Sequence, residues 1–180
     1  MSEHARYPLS MRLLHWLLAL LVFSNFALAW LLEDEESLLA AHKMIGAWIL
    51  LLAAARLANK LRLRKRLPAS VNPAGSWSYW AEKLAHGLLY LCLLAEPLLG
   101  WLKTNAAGHG ATLFPGFDLP ALMEKNRHLS HWLGGMHEVM ASLLALLIAL
   151  HVAAAFWHWI NGSGLGLARM LPMPGSKREI

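Results

Sequence analysis

The chain has 180 residues, of which 57% are hydrophobic and 15% are charged. A soluble domain has roughly 45–50% apolar and about 25% charged residues, so this composition indicates a membrane protein. Basic residues outnumber acidic ones, 16 to 11, and their positions between apolar runs indicate membrane topology rather than nucleic-acid binding. The single cysteine excludes an intrachain disulfide.

Four apolar runs predict four transmembrane helices, at about residues 10–32, 42–62, 80–102 and 135–160. Each run is close to the ~20 residues that a spanning helix needs. We therefore predict an all-α membrane protein, a four-transmembrane-helix bundle in which residues 1–180 form a single domain. The N-terminal region has no convincing small-residue cleavage site, which favours a retained first helix over a signal peptide.

The basic residues are concentrated on one side of this predicted bundle. Eleven of the sixteen lie at or before the start of the first helix, in or beside the second connection, or after the fourth helix. Four lie on the opposite side, and Arg56 lies within the second helix. The positive-inside rule therefore predicts that both termini are cytoplasmic.

The first two helices each carry a histidine near one end. His15 lies about one turn inside the predicted cytoplasmic end of the first helix, and an acidic turn at residues 33–36 follows on the outer side. Ser37 is a candidate cap for a short lead-in to the second helix. That helix opens with His42, at the outer edge.

The third helix carries His86 about one turn in from its cytoplasmic end, with Glu96 and Pro97 near its middle. Pro97 predicts a kink, because proline removes a backbone donor and crowds the preceding turn. Glu96 is either a buried acid associated with the kink or a proton-handling group. Residues 119–132, in the following connection, are predicted to form an amphipathic helix on the membrane interface.

The fourth helix carries His137 and His151, fourteen residues apart. Fourteen helical residues turn through roughly 1400°, about 40° short of four full turns, and rise ~21 Å. The two imidazoles therefore share one face and lie near opposite edges of a hydrocarbon core about 30 Å thick. Ionisable groups at these depths are costly and usually functional.

Depth predicts which histidines can meet. His15 and His151 lie near the cytoplasmic edge, whereas His42 and His137 lie near the outer edge, so two pairs share the fourth helix. Paired neutral imidazoles suit six-coordinate haem iron in electron transfer, and the sequence has no C-x-x-C-H motif for covalent attachment. We therefore predict two bis-histidine haems b. At the cytoplasmic depth, His86 is an alternative to His15.

Each of these residues also has a simpler interpretation. A single histidine near a helix end is as consistent with an interface residue as with a haem ligand. Four histidines that match in depth favour ligation. Zinc or copper is a weaker candidate, because the pairs are too far apart for one ion and lack carboxylate or thiolate ligands. The remaining histidines are expected to be solvated: His4, His109, His128 and His131.

Two further residues extend the same faces. Arg56 follows His42 by fourteen residues, so it should reach the cytoplasmic haem level and either pair with a haem propionate or extend to the membrane surface. His158 follows His151 by seven residues, ~10 Å closer to the cytoplasm. It could donate a hydrogen bond and a proton to a quinone headgroup, or belong to an aromatic belt with its two tryptophan neighbours.

Several segments resemble the bacterial cytochrome b561 family of small di-haem membrane proteins. They are LHW in the first helix, HKMIG at the start of the second with Arg56 fourteen residues on, LAHGLLYL in the third, and WLGGMHEVMASL with LHVAAAFWHW in the fourth. The resemblance covers nearly the whole chain. It implies His15 and His151 for the cytoplasmic-side haem b, His42 and His137 for the outer one, and no axial role for His86.

The resemblance also implies a function in the bacterial inner membrane. Some members of the family resemble superoxide oxidases that pass electrons from periplasmic superoxide to ubiquinone. The resemblance favours a quinone role for His158 and predicts a quinone-reducing oxidoreductase. The alternative is a non-enzymatic electron-relay subunit anchored to a partner dehydrogenase or hydrogenase. A third, weaker alternative is a protein that transports a metal or haem.

Overall fold

The computed structural model describes residues 6–31, 36–161 and 165–171. The described residues form α1 (Leu9–Leu31), α2 (Glu36–Arg62), a 3₁₀ turn (Arg64–Arg66), α3 (Trp77–Ala106), α4 (Arg127–Ile160) and the short α5 (Leu165–Met170). An antiparallel hairpin of β1 (Thr112–Phe114) and β2 (Phe117–Asp118) lies between α3 and α4. The acidic residues 33–35, His4 and the tail from residue 172 lie outside the described residues.

The helices α1 to α4 are all long and apolar enough to cross a membrane. Helix α1 packs against α2, α2 against α3, and α3 against α4. The predicted four-helix membrane bundle is therefore confirmed. We call the side with residues 6–9, the 3₁₀ turn and α5 the terminus side, and the side with the hairpin the loop side.

The bundle has a small apolar core at mid-depth and a large apolar exterior. Leu18 and Val22 of α1 pack against Ile49 and Ala53 of α2, with side chains of α3 and α4 around them. Large apolar side chains cover the outward faces, and exposed tryptophans lie at the helix ends: Trp30, Trp77, Trp80, Trp132, Trp157 and Trp159. This distribution is typical of a bundle surrounded by lipid with aromatic residues at both interfaces.

Three helices are longer than the apolar runs indicated. Helix α2 begins at Glu36, so Ser37 belongs to it and no separate lead-in exists. Helix α3 extends to Trp77–Ala106 and continues through the buried Pro97. Helix α4 begins at Arg127 rather than near residue 135, because the Asn126 side chain caps it and accepts a hydrogen bond from the Leu129 amide at 3.0 Å.

The predicted interfacial helix at residues 119–132 is wrong. Residues 119–126 are not helical, and residues 127–132 form the first turns of α4. Asn105, buried at the end of α3, holds this segment instead, since its side chain accepts from the Leu122 amide at 2.9 Å. The amphipathic pattern was therefore divided between a loop and the start of a membrane helix.

The hairpin is attached to the loop side of the bundle. Its turn contains Pro115 and Gly116, and the positive φ of Gly116 (88°) suits a turn with proline at the preceding position. The Trp48 indole of α2 donates to the Leu113 carbonyl at 3.0 Å. This hydrogen bond positions the loop beside the start of α2, where His42 lies.

Helix α5 docks on the terminus side. The Trp16 indole donates to the Met170 carbonyl at 2.8 Å, and the Arg12 guanidinium donates to the Leu171 carbonyl at 2.9 Å. The Arg169 guanidinium in turn donates to the Ala69 carbonyl at 2.9 Å. These hydrogen bonds join the first helix, the second connection and the end of the described chain.

Candidate haem sites

The structure brings four of the predicted histidines together in two pairs of the same geometry. The ring centroids of His15 and His151 are 6.3 Å apart with an interplanar angle of 85°. The centroids of His42 and His137 are also 6.3 Å apart, again at 85°. We call the first the terminus-side pair and the second the loop-side pair. All four side chains are half-buried.

Each pair joins two helices whose backbones are not closely packed. The terminus-side pair joins α1 to α4 and the loop-side pair joins α2 to α4, whereas the close packing is between α1 and α2, α2 and α3, and α3 and α4. The imidazoles therefore face each other across the bundle rather than along one interface. A cofactor at either level would therefore be held by one imidazole from each of two helices.

The ring spacing fits two imidazoles that would hold one metal between them. A metal–nitrogen bond of about 2.0 Å, with about 1.1 Å from each nitrogen to its ring centre, would put the two centroids up to about 6.2 Å apart. Both pairs match this spacing. No group of three or more His, Cys, Asp or Glu able to hold a metal ion occurs in residues 6–31, 36–161 and 165–171. A two-imidazole donor set suits haem better than a four-ligand zinc centre.

Backbone carbonyls orient the loop-side pair. Nδ1 of His42 lies 3.3 Å from the Asn25 carbonyl oxygen, and Nδ1 of His137 lies 3.2 Å from the Glu96 carbonyl oxygen. Metal-ligating histidines usually donate their second ring N–H in this way, which directs the other nitrogen to the metal. The contacts therefore support Nε2 as the coordinating atom on both rings.

The Glu96 side chain also contacts His137. Its Oε1 lies 3.1 Å from Nε2 of His137, and both side chains are mostly buried. The sequence left Glu96 as either a kink-associated acid or a proton-handling group, and the structure shows it as a partner of His137. His137 would hold a metal through the same Nε2 that this carboxylate contacts.

Two lysines place positive charge beside the loop-side pair. Lys43 and Lys103 both interact electrostatically with His42, and Lys103 also with His137. The Lys103 side chain lies over Gly134 of α4. Glu138 interacts with His137 in the opposite sense. Two lysines and two acids, Glu96 and Glu138, therefore lie around this pair.

A third imidazole lies at the terminus side. The ring centroid of His86 is 5.4 Å from that of His151, at an interplanar angle of 81°. Nδ1 of His86 lies 2.7 Å from the Glu82 carbonyl oxygen in its own helix. The shorter spacing differs from that of the two matched pairs, which favours His15 over His86 as the partner of His151.

Arg56 lies at the same level as these three imidazoles. It interacts electrostatically with His15, His86 and His151. The residue is only 9% exposed, and its Nε is buried without a hydrogen-bond partner. A buried guanidinium with an unused donor fits a haem carboxylate, which accepts charge-assisted hydrogen bonds. The predicted depth of Arg56 therefore agrees with its position.

The remaining predicted residues lie on the surface. His158 is exposed near the end of α4, between the exposed Trp157 and Trp159. His109, His128 and His131 are exposed as well. Sequence reasoning missed three residues that contact the site residues. The Asn25 carbonyl lies beside His42, Gly100 lies against the His137 ring, and the Tyr90 ring lies beside Arg56. Asn25 is a buried amide inside an apolar run, and that polar interruption could have identified it.

Comparison with known proteins assigns the chain to a family. Residues 6–173 match the family described as Prokaryotic cytochrome b561. "Cytochrome b561 homolog 1" of Escherichia coli (strain K12) is 30% identical over 166 residues, covering 88% of this chain and 93% of that protein. "Cytochrome b561 homolog 2" of the same organism is 27% identical, covering 92% and 91%.

A third relative carries a more specific name. "Probable superoxide oxidase CybB" of Yersinia pestis is 25% identical over 178 residues, covering 94% of this chain and 97% of that protein. The family match covers all four membrane helices. The resemblance is thus confirmed, and the chain belongs to the prokaryotic cytochrome b561 family, multi-pass membrane proteins of electron transfer that bind b-type haem.

Proposed function

We propose that this protein is a di-haem quinone reductase of the bacterial inner membrane that takes electrons from a donor on the outer side. The observation that supports it is the pair of matched histidine geometries, 6.3 Å and 85° at each level. His42 and His137 would hold one haem b, and His15 and His151 the other. When bound, each haem supplies a one-electron iron centre with no coordination position open to substrate.

The basic residues support the orientation. A cluster of basic residues lies on the terminus side, in the 3₁₀ turn Arg64–Arg66. Both ends of the described chain lie on the same side. By the positive-inside rule this side is cytoplasmic, which makes the loop side the outer one. The mid-depth core of Leu18, Val22, Ile49 and Ala53 lies between the two histidine levels. Its apolar side chains separate the two levels.

Superoxide is the donor that two lysines of the loop side favour. Lys43 and Lys103 lie beside the loop-side pair, and an anion approaching that pair is attracted by them. The similarity to a relative named a probable superoxide oxidase supports the same choice. Oxidation of two superoxide ions to oxygen would release the two electrons that one ubiquinone requires, and two protons complete the quinol.

His158 is the proposed proton donor to ubiquinone. It lies on α4 beyond His151, at the terminus-side end of the membrane span. An exposed imidazole at this depth can reach a quinone headgroup in the lipid, donate a hydrogen bond to its carbonyl and then transfer a proton. Its tryptophan neighbours would keep this region of the helix at the interface.

Quinol formation by the isolated protein tests this function. Purified, haem-loaded protein in detergent is mixed with enzymatically generated superoxide and a soluble ubiquinone, and quinol is measured. We expect one quinol for every two superoxide ions that the protein oxidises, after correction for spontaneous dismutation, and none with heat-denatured protein. A protein that stays inactive until a dehydrogenase or hydrogenase partner is added would instead be the relay subunit.

A further inference from the structure

Two cations of α2 converge on one buried tyrosine of α3. Cζ of Arg56 lies 5.4 Å from the Tyr90 ring centroid, and Nζ of Lys60 lies 4.7 Å from the same centroid. Tyr90 is 8% exposed and Arg56 9%, whereas Lys60 is half-buried. The sequence analysis singled out Arg56 alone. Lys60 follows Arg56 by four residues on the same helix, but only the structure shows that a ring of α3 lies beside both side chains.

This arrangement is unfavourable without an anion. Like charges four residues apart on a helix repel each other, and both cations lie within the span of α2. Cation–π contacts with Tyr90 offset part of the cost, but they do not neutralise either charge. A buried guanidinium ordinarily has a carboxylate or phosphate partner.

No carboxylate of the described residues supplies that partner. Glu82 interacts with Lys60 over a longer distance, but its own carboxylate accepts hydrogen bonds from the Ser70 hydroxyl and the Asn72 amide. Among residues 6–31, 36–161 and 165–171, no ion pair within 4.0 Å involves Arg56 or Lys60.

Tyr7 also interacts with Arg56 but brings no negative charge. Burial, and then Glu82, raises the pKa of the Tyr7 hydroxyl above its ordinary value, so the phenol stays neutral at physiological pH. Neither Arg56 nor Lys60 therefore has an ion-pair partner among the described residues.

We infer that Arg56, Lys60 and Tyr90 form a carboxylate-binding site, and that its ligand is a propionate of the terminus-side haem. The unpartnered Nε of Arg56 supplies a donor, Lys60 supplies a second charge, and Tyr90 holds both side chains in one place. Arg56 interacts with all three imidazoles at this level, and Lys60 interacts with His86. The inference rests on the proposed haem at this level and adds to it a means of setting that haem's potential.

The charge of Lys60 should raise the midpoint potential of the terminus-side haem. Reduction makes the haem more negative, so a nearby cation stabilises the reduced form. We expect Lys60→Gln to lower the reduction equilibrium constant of that haem about tenfold, which is about 59 mV for one electron. Lys60→Arg, which keeps the charge, should stay close to the wild type.

Potentiometric titration of the purified, haem-loaded protein measures this effect, because both haems are followed by their spectra without turnover. Lys65→Gln is the charge-matched control, since Lys65 lies exposed in the 3₁₀ turn on the same side of the bundle. The control should leave the terminus-side potential unchanged. The loop-side haem serves as an internal reference in every variant.

The outcomes separate this inference from the proposed function. An intact terminus-side haem whose potential is the same in Lys60→Gln and wild type would overturn the inference alone. A wild-type protein that binds no haem at this level would overturn both. The titration is repeated in vesicles of phosphatidylcholine with and without phosphatidylglycerol. A lower potential of Lys60→Gln in both kinds of vesicle supports the propionate as the ligand. A difference that appears only with phosphatidylglycerol would overturn the propionate in favour of a lipid phosphate.

Discussion

Gly100 of α3 lies directly against the imidazole of His137 on α4. A Cβ at Gly100 would lie 3.0 Å from Cε1 of His137 and 3.3 Å from its Nδ1. These distances are shorter than ordinary van der Waals contact, so the ring would have to move by a few tenths of an ångström. The same ring is held on α3 by the Glu96 carbonyl. Helix α3, on which the resemblance implies no axial ligand, thus determines where the imidazole of His137 lies.

Gly100→Ala should therefore weaken the loop-side haem without affecting the other. Displacing an oriented ligand typically costs about 10–100-fold in metal affinity. Haem titration of the apoprotein, followed by absorbance, measures the affinity of each site. Gly87→Ala is the control, because a Cβ at Gly87 on the same helix meets nothing within 4 Å. Equal affinities in both variants would contradict a positioning role for Gly100.

Replacing single ligands should remove single haems. We expect about two haems per chain in the wild type and about one in either His137→Ala or His151→Ala, since each pair needs both imidazoles. Pyridine haemochrome and protein assays on the same sample give the ratio. Electron paramagnetic resonance should show that the two variants retain different low-spin signals. A wild-type ratio of one would contradict the two-pair arrangement.

His86→Phe should keep both haems, whereas His15→Phe should lose the terminus-side one. The spacing of His15 to His151 equals that of the loop-side pair, and the spacing of His86 to His151 is shorter. Phenylalanine preserves a ring without a coordinating nitrogen, so each variant removes ligation with little change in volume. Haem loss in His86→Phe together with retention in His15→Phe would assign the axial role to His86.

Lys103→Gln should slow the reaction with superoxide. A lysine beside the loop-side pair attracts an anionic donor, so its removal should lower the bimolecular rate about threefold to tenfold and reduce its salt dependence. Stopped-flow mixing of oxidised protein with superoxide measures both quantities. Lys65→Gln on the terminus side is the charge-matched control and should behave as wild type. A wild-type rate that rises with salt would argue against an attracted anion.

His158→Leu should keep both haems and slow their oxidation by ubiquinone at least tenfold. The factor corresponds to about 1.4 kcal/mol for a lost hydrogen bond or proton donor. His131→Leu, at another exposed histidine of α4, should have no effect on this rate. Unchanged oxidation in His158→Leu would refute the quinone role. Loss of a haem would show that His158 is an axial ligand.

The sequence by itself determined the number of membrane helices and the depth of the histidines. Run length alone predicts a spanning helix, because the lipid core has a fixed thickness and requires internal backbone hydrogen bonding. Within one helix the rise and rotation per residue are also fixed, so His137 and His151 had to share a face about 21 Å apart. The same regularity placed Arg56 on the same face of α2 as His42, fourteen residues further along the helix.

Helix ends and loop structure were less predictable. Helix α4 begins at Arg127 because Asn126 caps it there, and hydropathy contains no information about capping. The segment at 119–126 depends on Asn105, which is distant in sequence. Long-range hydrogen bonds of this kind overrode the local amphipathic pattern that had indicated an interfacial helix.

Only the tertiary structure decided which side chains of equal depth meet. His15 and His86 lie at one depth near His151, and the rotation of α1 and α3 about their own axes determines which ring faces it and at what spacing. The contacts of Glu96 and Gly100 with His137, and of Lys60 with Tyr90, depend on the same rotations. A sequence sets depth and face within each helix, whereas packing between helices sets how those faces are turned towards one another.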